Sequence, residues 1–127
     1  MRGRVQLISL AFLVLSFFTE AAFAQKDSDR YFAYAKKIIE NSNLQIDSTD
    51  NSGYSLKKKH VKRIAKIAIS QKFGRLIIWK EKPYHIIKYN NYWVVIGHKH
   101  NKNRKGGVAT VIINDKNMCV EKAFHGK

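Results

Sequence analysis

Five histidines, His60, His85, His98, His100 and His125, hold most of the acid–base and ligand chemistry in this chain. His98-x-His100 would place two imidazoles on one face of an extended segment, because side chains alternate along a strand. With His125 and the Met118-Cys119 pair as remote partners, such a soft donor set would favour copper. Lys99, Lys102, Arg104 and Lys105 surround the two imidazoles and would repel a cation, and no carboxylate lies in that stretch. No metal or other cofactor is expected. Proton transfer would fall to His85, Tyr89 and Glu121 on strand segments. General acid–base work needs a paired acid and base in reach of one substrate. No nucleophile, base and orienting group stand together, so the chain is not read as an enzyme.

The N-terminus bears on where this chemistry would operate. Arg2 and Arg4 precede the apolar stretch Val5–Phe18, and Ala22-Phe23-Ala24 follows as a small-x-small site. This predicts a cleaved signal peptide over 1–24, with cleavage between Ala24 and Gln25. The apolar stretch falls short of the roughly 20 residues a membrane span requires, so no transmembrane segment is expected in the mature chain. A periplasmic or secreted protein follows. Its single cysteine excludes an internal disulfide framework. Cys119, flanked by Met118 and Val120, is expected to be buried in the core, as free cysteines usually are.

Charge is the dominant surface property. There are 24 Lys and Arg against 9 Asp and Glu in 127 residues, a formal charge of +15. The cations concentrate at Lys57-Lys58-Lys59-His60 with Lys62-Arg63, and along His98–Lys105. Tyr84, Tyr89, Tyr92 and Trp93 are near enough in sequence to suggest a nucleic-acid stacking platform. Alternating strand aromatics serve a core equally well, and an exported protein meets little nucleic acid, so no specific nucleic-acid partner is expected. An anionic envelope surface, lipopolysaccharide or acidic phospholipid, suits the charge better, each basic residue there adding about 1 kcal/mol.

The elements that must position these residues begin with two helices. Tyr31, Tyr34, Ala35 and Ile38 follow helical spacing behind Asp29 as N-cap, giving a helix that ends near Asn41. Residues 42–55 read as a loop around Gly53. Val61, Ile64, Ala65 and Ala68 define a second helix over 56–73, widened by Ile67 and Ile69 and stopped by Gly74. Lys57, Lys58 and Lys59 then crowd its first turn, where the helix dipole disfavours cations. After Arg75 the pattern turns to strands: the short run Leu76–Trp79, then Tyr84–Tyr89 and Tyr92–Gly97 across Asn90-Asn91. Val108–Ile113 and Met118–Phe124 follow across residues 114–117. Helices followed by a strand meander predict an α+β fold, with N-terminal helices packed on a curved antiparallel sheet in an NTF2-like or cystatin-like cone.

Phe73-Gly74, Lys82-Pro83-Tyr84, Trp93-Val94-Val95-x-Gly97, Gly106-Gly107-Val108, Ile112 and His125-Gly126-Lys127 occur in this order along the chain. The set resembles the NTF2-fold immunity proteins of bacterial polymorphic toxin systems, including the YbbC/YhhH-like group of exported proteins, over residues 57–127. The resemblance implies a protein that binds and neutralises a cognate toxin domain, commonly encoded beside it, with no catalytic residues and no cofactor. It carries over no toxin-contact positions. The organisation expected is a signal peptide over 1–24, a helix and loop over 25–55 and the immunity domain over 56–127, forming one globular domain overall.

The binding surface expected from charge and loop position is His98, Lys99, His100, Lys102, Arg104 and Lys105, with Lys57, Lys58 and Lys59 second. Long cationic side chains of this kind pair with carboxylates at a toxin's cleft. An inhibitor this basic suits an acidic toxin. Export places that toxin's action in the periplasm, on peptidoglycan or lipid.

Overall fold

Two apolar runs set the centre of the fold in the computed structural model, which describes residues 25–46, 55–100 and 106–126. Residues 1–24, where a signal peptide is expected, and Gly53, Lys102, Arg104, Lys105 and Lys127 lie outside the described residues. Strand β2, Tyr92–Ile96, is buried at every position, and β3, Ala109–Asn114, is buried up to Ile113. Strands apolar on both faces need cover on both faces. They pair antiparallel with each other and with β1 (His85–Tyr89) and β4 (Val120–His125) on the two edges, in the order β1-β2-β3-β4.

The predicted meander is therefore present. Asn90 takes φ 53° in the two-residue turn that sets Tyr89 opposite Tyr92. Along β4 the register slips between Ile112 and Ile113, so that Glu121 becomes the extra residue of a bulge. Bulges bend a strand, and the sheet here is curved.

Helix α2, Lys58–Phe73, covers the face that carries Trp93, Val95, Val111 and Ile113. Val61, Ala65 and Ile69 are its fully buried positions, and each larger one contributes about 1.5–3 kcal/mol. Ile67, expected to widen the buried stripe, instead points away and is 54% exposed. Gly74, at φ 93°, ends the helix and gives its N–H to the Ser70 carbonyl.

Residues 25–41 are helical and form α1. Asp29 does not cap it: it lies within the helix, its carboxylate accepting from Gln25 Nε2. The buried positions are Ala35 and Ile39, while Tyr34 is exposed and Ile38 half-buried. The described residues fall into two units divided after Tyr34. Within the second, the stretch from Glu40 to Gln45 bonds the sheet face opposite α2. Tyr92 Oη donates to the Gln45 carbonyl at 2.8 Å, and Lys122 Nζ to that of Ser42 at 3.0 Å.

Two further sequence expectations fail for identifiable reasons. The run Leu76–Trp79 is not a strand but the middle of a short helix, α3, Arg75–Lys80. A four-residue apolar run has no periodicity that separates helix from strand. Gly74 lets the chain restart as a helix, Ile77 and Ile78 pack on the core, and Tyr84 Oη donates to the Ile78 carbonyl at its C-terminal end at 3.0 Å. Burial, then the Glu81 carboxylate, push that phenol up to about 12.

Cys119 is exposed, not core. Met118 takes φ 60° in the turn before β4, and Asn117 Oδ1 accepts the Cys119 N–H, so the apolar trio Met118-Cys119-Val120 is turned outward. The folded protein should accordingly give one equivalent of thiol to Ellman's reagent without denaturant. A thiol reactive only after unfolding would contradict this placement.

Candidate functional site

Glu81, at the end of α3, ties together the end of the sheet where the predicted loop begins. It is 8% exposed, unusual for a carboxylate in so basic a chain. Its Oε2 accepts the Ala109 N–H at 2.8 Å and its Oε1 lies 3.0 Å from His125 Nε2. Its main-chain carbonyl accepts the His98 N–H at 2.8 Å. One residue thus joins α3, the segment after β2, the start of β3 and the end of β4.

Close approach explains the glycines around it. A Cβ on Gly97 would collide with the Glu81 carboxylate, and one on Gly107 would overlap the Gly126 main chain. Gly106 takes φ 105°, a backbone conformation natural to glycine. The elements Lys82-Pro83, Gly97, Gly106-Gly107 and His125-Gly126, dispersed in sequence, therefore assemble around Glu81.

Histidines cluster at the same end. His85 Nε2 lies 3.1 Å from His98 Nδ1, and the rings of His98 and His100 are 4.7 Å apart, edge to face. His125 meets Phe73, at the end of α2, with ring centroids 5.8 Å apart. A cleft of about 200 Å³ opens between Glu81, His98, Lys99, His100, Gly107 and His125. Among the described residues, no group of three or more His, Cys, Asp or Glu is placed to hold a metal ion. Met118 and Cys119 lie across the β3–β4 turn, at the opposite end of those strands from His125, so they do not join His98 and His100. Tyr89 Oη points to Glu40 and Glu121 to Asn114 Nδ2, so neither completes an acid–base pair with His85.

Of the predicted binding residues, His98 is half-buried at the cleft, and Lys99 and His100 are exposed at its mouth. Lys102, Arg104 and Lys105 lie outside the described residues. Lys57, Lys58 and Lys59 are exposed, but at the other end of α2, about 24 Å of helix away. Among the described residues, Lys99 and His100 therefore lie at the opposite end of α2 from Lys57, Lys58 and Lys59.

The Lys57–Lys59 end has its own anchor, which sequence reading missed. Asp115 is fully buried and its Oδ1 accepts from the Leu56 N–H at 2.8 Å and the Trp93 indole N–H at 2.7 Å. Lys88 Nζ lies 3.2 Å from Oδ2 and 5.6 Å from the Trp93 ring centroid. Burial raises the pKa of Asp115, but the Trp93, Leu56 and Lys88 contacts outweigh it and hold the carboxyl below its usual range. This buried negative charge, brought from the β3–β4 turn to the Leu56 N–H beside the start of α2, offsets the cations there.

The part of the chain that holds both anchors, from within α2 to the end of β4, falls inside a match to a known family. A model of the NTF2 fold immunity protein matches residues 61–127. This chain belongs to that family. The uncharacterised protein YbbC of Escherichia coli strain K12 is 31% identical over 118 residues, 93% of each chain. No solved structure matches. Glu81, the glycines that close on it and His125 all lie inside the matched segment. Among the described residues, no helix is long and apolar enough to cross a membrane.

Proposed function

We propose that this family member is an exported immunity protein that binds a cognate toxin domain in one-to-one complex and neutralises it in the periplasm. The family match across α2 to β4 is the observation that carries the reading. A cleavable signal over 1–24 supports export, and the +15 formal charge supports an acidic toxin surface. Neutralisation here is stoichiometric binding, without chemistry by this chain and without a cofactor.

The loop that starts at His98 is the contact surface assigned by this reading, with the α2 start as the second. Lys99 and His100 flank the mouth of the Glu81 cleft, and Lys102, Arg104 and Lys105 continue the basic run in sequence. Steering by such charges acts on the association rate and is screened by salt. The double substitution Lys102→Glu with Arg104→Glu should weaken toxin binding about tenfold at low salt, with little effect at high salt and an unchanged Tm. Equal affinity for both proteins at low salt would remove the loop from the interface.

A further inference from the structure

The two most exposed large apolar side chains among the described residues both lie on α3. Trp79 is 77% exposed and Leu76 is 73% exposed. Three residues apart, they stand on one side of the helix and form a protruding ridge. Arg75, one turn from both Ile78 and Trp79, links the ridge to a groove of about 540 Å³ lined by Lys66, Ile67, Ser70 and Ile78. Folded proteins do not ordinarily leave a tryptophan beside an apolar groove facing water, and such patches mark interaction surfaces.

Charge defines the partner. From Lys57 to Lys80 the chain contains no Asp or Glu, while Lys62, Lys66, Arg75 and Lys80 surround the ridge and groove in sequence. Burial lowers the Lys66 pKa, and Lys62 and Lys82 lower it further, so these ammonium groups share one neighbourhood. We infer that the α2–α3 face is a docking surface for an acidic protein, whose apolar pocket receives Trp79 and Leu76 while its carboxylates meet Lys66 and Arg75. Tryptophan and arginine are the residues that most often dominate interface energetics. A six-residue helix with two outward apolar side chains has too little apolar face to lie in a membrane, and a flat lipid surface would leave the groove unfilled. Resting on the immunity reading, the inference names the toxin domain as the acidic partner and adds this face to the His98 loop, whose cleft Lys80 of α3 also lines.

The test titrates the exported protein, its Trp79→Ala variant and its Leu76→Ala variant with the toxin domain encoded beside the gene. Tm serves as the folding control and acrylamide quenching of tryptophan emission as a second readout. Both side chains are largely exposed, so the variants should keep the wild-type Tm. Trp79→Ala should lose about 30-fold or more in affinity. Trp79, quenched in the free protein, should become protected in the complex, while buried Trp93 stays protected throughout. Wild-type binding with unchanged affinity in both variants would overturn this surface and leave the immunity reading standing. Failure of the wild type to bind would overturn the immunity reading and with it the occupant assigned here. Trp79 protection by phosphatidylglycerol vesicles, with none by the toxin domain, would replace the protein partner with a lipid surface and overturn the inference.

Discussion

Replacing Asp115 with alanine is expected to destabilise the fold by about 3–5 kcal/mol, the range for removing one partner of a buried charged network. Four groups lose a partner together: the Trp93 indole, the Leu56 amide, the Ser55 hydroxyl and the Lys88 ammonium, which keeps only Ser55 Oγ. In a domain of this size the loss corresponds to a Tm lower by about 15 °C or more. Asp115→Asn keeps an oxygen that can accept from Trp93 and Leu56 and should cost less. It should also change the pH dependence. Because the folded carboxyl titrates below its unfolded value of about 3.9, its contribution is complete above that pH and is lost as pH falls through the folded pKa. Thermal melts between about pH 5 and pH 2 should therefore fall more steeply for the wild type than for Asp115→Asn. Parallel acid limbs would show that the carboxylate does not hold this end of the sheet.

The second large effect belongs to the other end. Gly107→Ala should destabilise by about 3 kcal/mol, the upper part of the range for overpacking a closed site. The new methyl would overlap the Gly126 main chain, and β3 and β4 would have to separate. That separation breaks the Gly126 N–H bond to the Val108 carbonyl and pulls the Ala109 N–H off Glu81. Gly106→Ala is the control. It has open space for a methyl and only a strained φ of 105°, so it should cost about 1–2 kcal/mol. Melts of the two variants, with amide exchange at Ala109 and Gly126, separate the cases. A Gly107 variant no worse than the Gly106 variant would contradict the close approach.

These two sites also show what the sequence could and could not convey. The meander was legible because Asn90-Asn91, Pro83 and the apolar runs of β2 and β3 are local signals, and α2 because its buried residues recur every four positions. Asp115 read as an ordinary turn residue, since its partners Leu56 and Trp93 lie 59 and 22 positions away. Glu81 was missed for the same reason, although an acid directly before Lys82-Pro83 in so basic a chain was a usable signal. Leu76–Trp79 was misread because four apolar residues satisfy either periodicity, and only the φ of Gly74 and the packing of Ile77 and Ile78 decide it. That error mattered, because a strand would have hidden one of the two side chains, Leu76 or Trp79, which α3 leaves exposed together. The ordered glycine and His125 elements marked the family correctly, and the structure gives their physical reason in the contacts around Glu81.

The most direct measurement of the central proposal is a titration of this protein with the toxin domain encoded beside its gene, read together with toxin activity. Saturation at one-to-one stoichiometry, with activity falling in proportion to complex formed, is the result expected of an immunity protein that acts by binding. A correctly folded, active toxin domain that neither binds nor loses activity would contradict it.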